Sequence, residues 1–317
     1  MLFRSAMTEV RVQRGLRPTD RDAVVSFLRE VDSLDGDTLD DNLQSDLQSG
    51  PADGDPSLHV PFVAATAFDP PGLVVGYAQA SEVSGGHVVD SVVWPRYAGD
   101  ADLLREHLLR DVLAELPDGT PVTWWTHESA RSTALARSLG LDAGRQLLQM
   151  RRALPIEHTT DVTVRSFVPG TDETAWLQVN NAAFEWHGEQ GGWDLPRLRR
   201  REQAPWFRPD GFLLHEVEGR LAAFCWTKLH APHERAMVGE IYVIAVHPDF
   251  HGRGLGRALT VAGLHTLHRQ GATEAMLYVD AANESAVGLY RSLGFHVAHT
   301  NQSYIRTAHH HRGGSAA

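Results

Sequence analysis

Residues Glu240 to Gly263 read EIYVIAVHPDFHGRGLGRALTVAG. The run Ile241 to Val246 is apolar and rich in β-branched side chains, as a buried strand is. His247-Pro248 breaks it, and a loop follows that carries Arg253, Gly254 and Gly256. From Leu255 the apolar residues recur at helical spacing. The order is strand, glycine turn, helix. Glycines let backbone N–H groups point inward with no Cβ in the way. The helix aims the positive end of its dipole at the same place. Such a turn either cradles a pyrophosphate, with Arg253 and Arg257 adding charge at its edge, or is an ordinary glycine-rich turn before a surface helix. A Walker A loop is excluded, because no Gly-Lys pair follows these glycines. The dinucleotide fingerprint is excluded too, since Gly254-x-Gly256 lacks the third glycine at its required spacing.

The chain has 317 residues, which makes two domains of about 150 the natural expectation. Its formal charge of −11 argues against a nucleic-acid partner. The single cysteine, Cys225, lies in an apolar run and reads as core packing; alone it can form no internal disulfide, which fits a reducing cytoplasm. No apolar run reaches the length of a membrane span, and residues 1–10 lack the apolar core of a signal peptide, with Met7 an alternative start. The 18 histidines are scattered without H-E-x-x-H or C-x-x-C spacing, so no metal site is expected. The tail from Ala308, with its adjacent histidines, reads as a disordered end.

Periodicity predicts, in order, a strand over 10–16, a helix over 19–31 and an acidic, punctuated stretch over 32–55. Strands over 59–68 and 73–82 flank Asp69-Pro70-Pro71-Gly72, a hairpin turn. A strand over 87–93, a helix over 102–115, a strand over 121–126, a helix over 130–139 and a strand over 145–152 complete the half. The second half repeats the order: strand 163–167, helix 171–184, a polar stretch 185–209, strands 212–216 and 221–230, the opening stretch, strand 275–279, helix 285–293 and a closing strand 296–305. Val92-Val93-Trp94-Pro95 answers Ala245-Val246-His247-Pro248, and Ser138-Leu139-Gly140 answers Ser292-Leu293-Gly294, about 153 residues apart. The chain therefore reads as a tandem duplication joined near Leu154 to Asp161. Where the second half has its glycine-arginine turn, the first has Pro95-Arg96-Tyr97-Ala98-Gly99-Asp100. A carboxylate there disfavours a pyrophosphate, so the first half is expected to be catalytically inactive.

His251-Gly252-Arg253-Gly254-Leu255-Gly256 fills the pattern R/Q-x-x-G-x-G/A, with histidine at the position where Gln or Arg is usual. It resembles the acetyl-CoA loop of the GNAT N-acetyltransferases. Residues Asn283 to Phe295 fill that family's second signature, N-x-x-A-x-x-x-Y-x-x-x-G-F. The resemblance implies an α/β fold with a mixed sheet, made of two GNAT acyl-CoA N-acyltransferase domains at 1–153 and 162–308. It implies that acetyl-CoA is held by Ile244, Ala245 and Val246, by His251, Gly252, Arg253, Gly254, Leu255, Gly256 and Arg257, and by Asn283, Glu284, Ser285, Ala286, Val287 and Gly288. GNAT chemistry is direct attack of an amine on a thioester. It needs a base, a donor to the oxyanion and an acid for the departing thiolate. Glu240, a lone acid at the head of an apolar strand, is the expected base, against the alternative of a solvent-exposed strand end. Tyr290 is the expected acid, against a tyrosine packed on the sheet. The strand backbone at 244–246 would bond the pantetheine arm as an added strand does.

Further strings resemble one tandem branch of that family, whose members N-acetylate the cysteinyl amine of a cysteinyl-glucosaminyl-inositol. They are Val179 to Phe184, Glu189 to Trp193, Trp226-Thr227-Lys228, Gly239 to Val243, Leu277 to Asp280 and Gln149 to Arg152. The likeness implies substrate contacts from Glu189, Lys228, Glu240 and Tyr278, and from a first-half acid for which Asp40 is the choice and Asp41 the alternative. A hydroxyl-rich pseudo-disaccharide suits the carboxylates, lysine and aromatic rings of 185–193 and 226–230. The chain departs from that branch in its first half, which has lost the arginine-rich, glycine-containing loop. The small-molecule substrate is expected to be the only partner of a cytoplasmic monomer, with no membrane. Two other readings stand beside this one: acetylation of another amine, such as an aminoglycoside or a peptide N-terminus, and a non-catalytic acyl-CoA sensor. A sensor has no use for both Glu240 and Tyr290.

Overall fold

The computed structural model describes residues 8–35, 62–69, 72–83, 85–95, 97, 100–185, 190–230 and 237–307. Asp40, Asp41, Glu189, the 36–61 stretch, loop residues Arg96, Ala98 and Gly99, and the tail beyond Thr307 lie outside them. The first repeat runs β1 (Glu9–Arg14), α1 (Pro18–Asp35), β2 (Phe62–Asp69), β3 (Leu73–Val83), β4 (Gly86–Val93), α2 (Ala101–Ala114), β5 (Val122–His127), α3 (Ala130–Ser138) and β6 (Asp142–Ala153). The second runs β7 (Arg165–Ser166), α4 (Glu173–Ala183), α5 (Leu195–Glu202), β8 (Phe212–Val217), β9 (Arg220–Leu229), β10 (Val238–Val246), α6 (Leu255–Arg269), β11 (Glu274–Asp280), α7 (Glu284–Ser292) and β12 (His296–Arg306). Among the described residues the order β-α-β-β-β-α-β-α-β thus occurs twice, the second time with helix α5 as well.

Compactness divides the chain differently from the repeat. One unit holds residues 1–146 and 301–317, the other 147–300. The sequence reading has β12 closing the second half and β6 closing the first; the structure corrects this. In the first unit the strand order is β1-β2-β3-β4-β5-β12, with Asn301–Arg306 of β12 antiparallel to β5. In the second it is β6-β11-β10-β9-β8-β7, with Leu147–Ala153 of β6 antiparallel to β11. Side chains explain the exchange. Tyr304 of β12 packs its ring 5.6 Å from that of Trp124 and hydrogen-bonds Thr133 of α3. Arg151 of β6 pairs with Glu274 of β11 at 3.1 Å, and Arg152 donates to the carbonyl of Leu293. Two strands of similar pattern are sorted by these specific partners.

The polar stretch 185–209 contains a helix that periodicity does not suggest. Asp194 caps α5 by accepting the Arg197 N–H at 2.8 Å, and Pro196 stands in its first turn. Of its side chains only Leu198 is buried, so the arginine-rich remainder shows no apolar stripe.

In the second unit α6 and α7 cover one face of the sheet, packing on Ile241, Ala275, Leu277 and Val279. The other face carries an aromatic layer from Trp176, Trp193, Phe212, Phe224 and Trp226. Helix α6 lies close to the sheet because Gly263 faces it: a Cβ there would stand 2.6 Å from Cys225 Sγ and 2.8 Å from Ile241 Cδ1. Cys225 is fully buried in this layer, and burial pushes its thiol pKa up. Gly263→Val should therefore overpack the layer and lower stability by about 1–3 kcal/mol. Urea denaturation checks this, and a variant as stable as the parent would contradict the close packing.

Candidate active site

Strand β10 pairs with two neighbours of opposite sense. Antiparallel β9 follows it along its length, from Gly239–Leu229 to Val246–Ala223. Parallel β11 follows it only from Val238–Glu274 to Ile241–Leu277. Beyond Ile241 the β11-facing edge of β10 has no strand partner among the described residues, and β11 itself is paired with β6 on its other side through Asp280. A bulge between Ile241 and Val243 falls at this divergence. It re-phases the strand: Ile241 faces the α6 layer, Tyr242 and Val243 both face the aromatic layer, and Ile244 and Val246 return to the α6 side. No register shift interrupts the corresponding pairing of β3 with β4 in the first unit.

Glu240 lies just before the bulge, opposite Lys228 in register, and is buried. Because Gly239 and Ile241 face α6, strand alternation turns Glu240 to the aromatic side. Lys228 shares that side. Its ammonium stands 5.0 Å from the Trp206 ring centroid and 5.7 Å from that of Tyr242. His230, two residues further along the chain, reaches the same carboxylate, with Nε2 2.9 Å from Glu240 Oε2. Tyr278 stands on β11 on the same side, because Leu277 and Val279 face α6. Its hydroxyl accepts a hydrogen bond from Gln149 Nε2 at 2.8 Å. Arg151 Nε donates to Gln149 Oε1, which sets the amide's orientation, and Glu274 holds Arg151. A residue of the first repeat thus positions a predicted substrate contact.

Tyr290 sits on the opposite face, on α7, with its ring 5.9 Å from Phe295. Burial raises its pKa, and the Cys225 thiol adds a push in the same direction, so the phenol stays protonated. Cys225 is the cross-strand partner of Ile244, which places Tyr290 at the level where β10 has left β11.

At the far end of β10, His247 caps a short turn by accepting the Asp249 N–H at 3.2 Å. Phe250 is buried, and the guanidinium groups of Arg220 and Arg253 stand 5.3 and 5.1 Å from its ring centroid. His251 bonds the Val246 carbonyl through Nε2 at 2.9 Å, so the histidine at the unusual motif position ties the loop to the strand. Gly254 stands at φ 74° as the N-cap of α6 and offers no side chain to the helix end. No acid occupies the first turn, and Arg257 is held by Ser292 at 2.7 Å. The N–H groups from Gly252 to Arg257 find no acceptor among the described residues. Helix α2 of the first repeat differs. Asp100 Oδ1 accepts the N–H groups of Asp102 and Leu103 at 3.1 and 3.0 Å, and Asp102 adds a second carboxylate. Asn283 caps α7 by accepting the Ala286 N–H at its Oδ1, at 3.1 Å.

Glu189 and Asp40 lie outside the described residues, but the chain beside Glu189 is anchored. Asn180 Nδ2 donates to the Gln190 carbonyl at 3.0 Å, and Asn181 bonds both the N–H and the carbonyl of Trp193. The anchoring by Asn180 and Asn181, the Gln149 relay and the His230 contact have no distinctive spacing in the sequence. The Gln149 and His230 contacts depend on which strands become neighbours, and the Asn180 and Asn181 bonds on how the 190–193 segment returns to α4.

The pattern of the acetyltransferase (GNAT) family matches residues 180–295, within the second repeat. Mycothiol acetyltransferase of Acidimicrobium ferrooxidans is 39% identical over 287 residues, covering 87% of this chain and 90% of the relative. That of Thermobispora bispora is 40% identical over 296 residues, covering 90% and 96%. The chain belongs to the mycothiol acetyltransferase family. Solved structures agree on the fold of this family member. A tandem GNAT protein from the clavulanic acid biosynthesis pathway superposes with a TM-score of 0.63 at 15% identity over 95% of this chain and 99% of that one. A GCN5-related N-acetyltransferase from Sphaerobacter thermophilus gives 0.62 at 23% identity, over 93% and 95%. The α/β tandem GNAT architecture expected from the sequence is thus the observed one, and the chain is an acetyltransferase by family.

Gln149→Leu removes a fully buried amide that bonds both Tyr278 and Arg151. It should lower stability by about 1–3 kcal/mol through the unpaired groups it leaves. Denaturant titration reads this, and an unchanged midpoint would show that the relay holds nothing in place.

Proposed function

We propose that this family member transfers the acetyl group of acetyl-CoA to the cysteinyl amine of cysteinyl-glucosaminyl-inositol, forming mycothiol. The observation that carries the reading is the divergence of β10 from β11, with Glu240 at its head on one face, Tyr290 on the other and an uncapped glycine turn at its far end. The second repeat has the groups to hold acetyl-CoA. Free N–H groups from Gly252 to Arg257 and the α6 dipole suit the pyrophosphate. The open edge of β10 at 244–246 suits the pantetheine amides, and the Asn283 amide with 284–288 borders the same arm. A Cβ at Gly252 or Gly254 would meet nothing within 4 Å, so the space above the turn is open.

Acetyl-CoA supplies the activated acetyl group. Glu240 takes a proton from the amine as nitrogen bonds the carbonyl carbon. A backbone N–H of β10 donates to the carbonyl oxygen as it gains charge. Tyr290 gives its proton to the sulfur as the C–S bond breaks. Lys228, Tyr278, Glu189 and Asp40 are assigned to the sugar and inositol hydroxyls. The first repeat, 1–153, is assigned no catalysis, because Asp100 and Asp102 occupy the helix end that the second repeat, 162–308, leaves open. One cysteine and a thioester co-substrate fit a reducing cytoplasm.

The test is release of free CoA with acetyl-CoA and synthetic cysteinyl-glucosaminyl-inositol, with cysteine and an aminoglycoside as comparators. Fast, selective release with the pseudo-disaccharide supports the proposal. Release with another amine alone would keep the mechanism and discard this substrate, and acetyl-CoA binding without turnover would favour a sensor. Glu240→Ala should lower kcat about 10²- to 10⁴-fold while leaving acetyl-CoA affinity nearly unchanged. Equal losses in both would remove Glu240 as the base.

A further inference from the structure

His230 closes the β9–β10 ladder. Its N–H donates to the Val238 carbonyl at 3.0 Å, which fixes the backbone beneath the ring. Lys228 and His230 are two residues apart and share a face, and Glu240 is the direct cross-strand partner of Lys228. The imidazole therefore reaches Glu240 along the diagonal, and Nε2 lies 2.9 Å from Oε2. Both side chains are largely withdrawn from water, at 13% and 9% exposure.

We propose that His230 is a positioning residue for the acyl-transfer base: its Nε2–H holds one oxygen of Glu240 so that the other receives the amine proton. This rests on the reading of Glu240 as the base. A base enters the reaction ionised, and an ionised carboxylate only accepts hydrogen bonds. The proton in the His230–Glu240 contact therefore belongs to Nε2. With Oε2 engaged, Oε1 is the oxygen that faces the incoming amine. The contact survives the reaction, because Oε2 of a protonated glutamic acid still accepts from Nε2 when the new proton sits on Oε1. Without it, a nearly buried carboxylate loses its hydrogen-bond donor and its flexible stem loses its anchor. Neither change touches the glycine turn that is assigned to acetyl-CoA.

The test uses the full-length protein with acetyl-CoA and synthetic cysteinyl-glucosaminyl-inositol. It compares His230→Leu, His230→Gln, Glu240→Gln and the double variant His230→Leu/Glu240→Gln. Glutamine keeps an N–H donor near the place of Nε2 but cannot titrate. His230→Leu should lower kcat about 10- to 100-fold, a part of what a general base supplies, with the KM for acetyl-CoA within about 3-fold of the parent. His230→Gln should recover kcat to within about 5-fold, and the double variant should be no slower than Glu240→Gln alone. Full activity in His230→Leu overturns the proposal. So does a His230→Gln enzyme as slow as His230→Leu, which would make the imidazole itself a proton carrier. A fall in thermal midpoint and acetyl-CoA affinity that matches the fall in kcat would reduce His230 to a structural role and also overturn it. If His230→Leu does not fold, His230→Asn, whose amide is too short to reach Oε2, takes its place with the same expectations. Full activity in Glu240→Gln would remove the base assignment itself, whatever His230 does.

Discussion

The parting of two parallel strands organises the second unit. Strand β10 keeps its full antiparallel ladder with β9 and abandons β11 after Ile241. Backbone N–H and C=O groups on a sheet edge demand partners, and an extended amide-containing ligand can supply them as a strand would. The bulge at Ile241–Val243 accompanies the parting and changes which face each later side chain serves. Glu240 comes before it and Ile244 after it. The strand therefore presents a carboxylate toward the aromatic face and, a turn of pleat later, apolar side chains toward α6 and α7. Tyr290 can then stand across the sheet from Glu240 at the opening, with protein groups on both sides of one reacting bond.

The two repeats show how little sequence separates a phosphate cradle from a closed helix end. In α6 the N-cap is Gly254 in the left-handed region, and the first-turn N–H groups remain unspent. In α2 the N-cap is Asp100, whose carboxylate accepts two of the equivalent groups. Capping stabilises a helix by about 1 kcal/mol. The same bond consumes the donors and places negative charge where an anion would sit. The first repeat has gained a stable helix end and given up the electrostatics of the second.

Much of this was legible in the sequence because it is local. The glycine turn, the helix behind it, Asn283 as a cap and the repeated order of elements follow from spacing and residue type. What depends on strand neighbours was not legible. Strands β6 and β12 have similar patterns, and only their partners, Glu274 for Arg151 and Trp124 for Tyr304, decide where each one lies. The bulge has no glycine or proline to announce it. Helix α5 hides because its arginines mask a single buried leucine, although Asp194 with Pro196 is an N-terminal signal. His230 reads as the end of a strand until register sets it beside Glu240.

The second repeat is assigned acetyl-CoA binding through an open glycine turn, and the first is not. Isothermal titration of the full chain with acetyl-CoA separates the two cases. One equivalent should bind per chain, and Gly254→Val should lose much of the affinity, because valine strains a left-handed backbone position. Two equivalents per chain, or a single site that Gly254→Val leaves intact, would contradict this assignment.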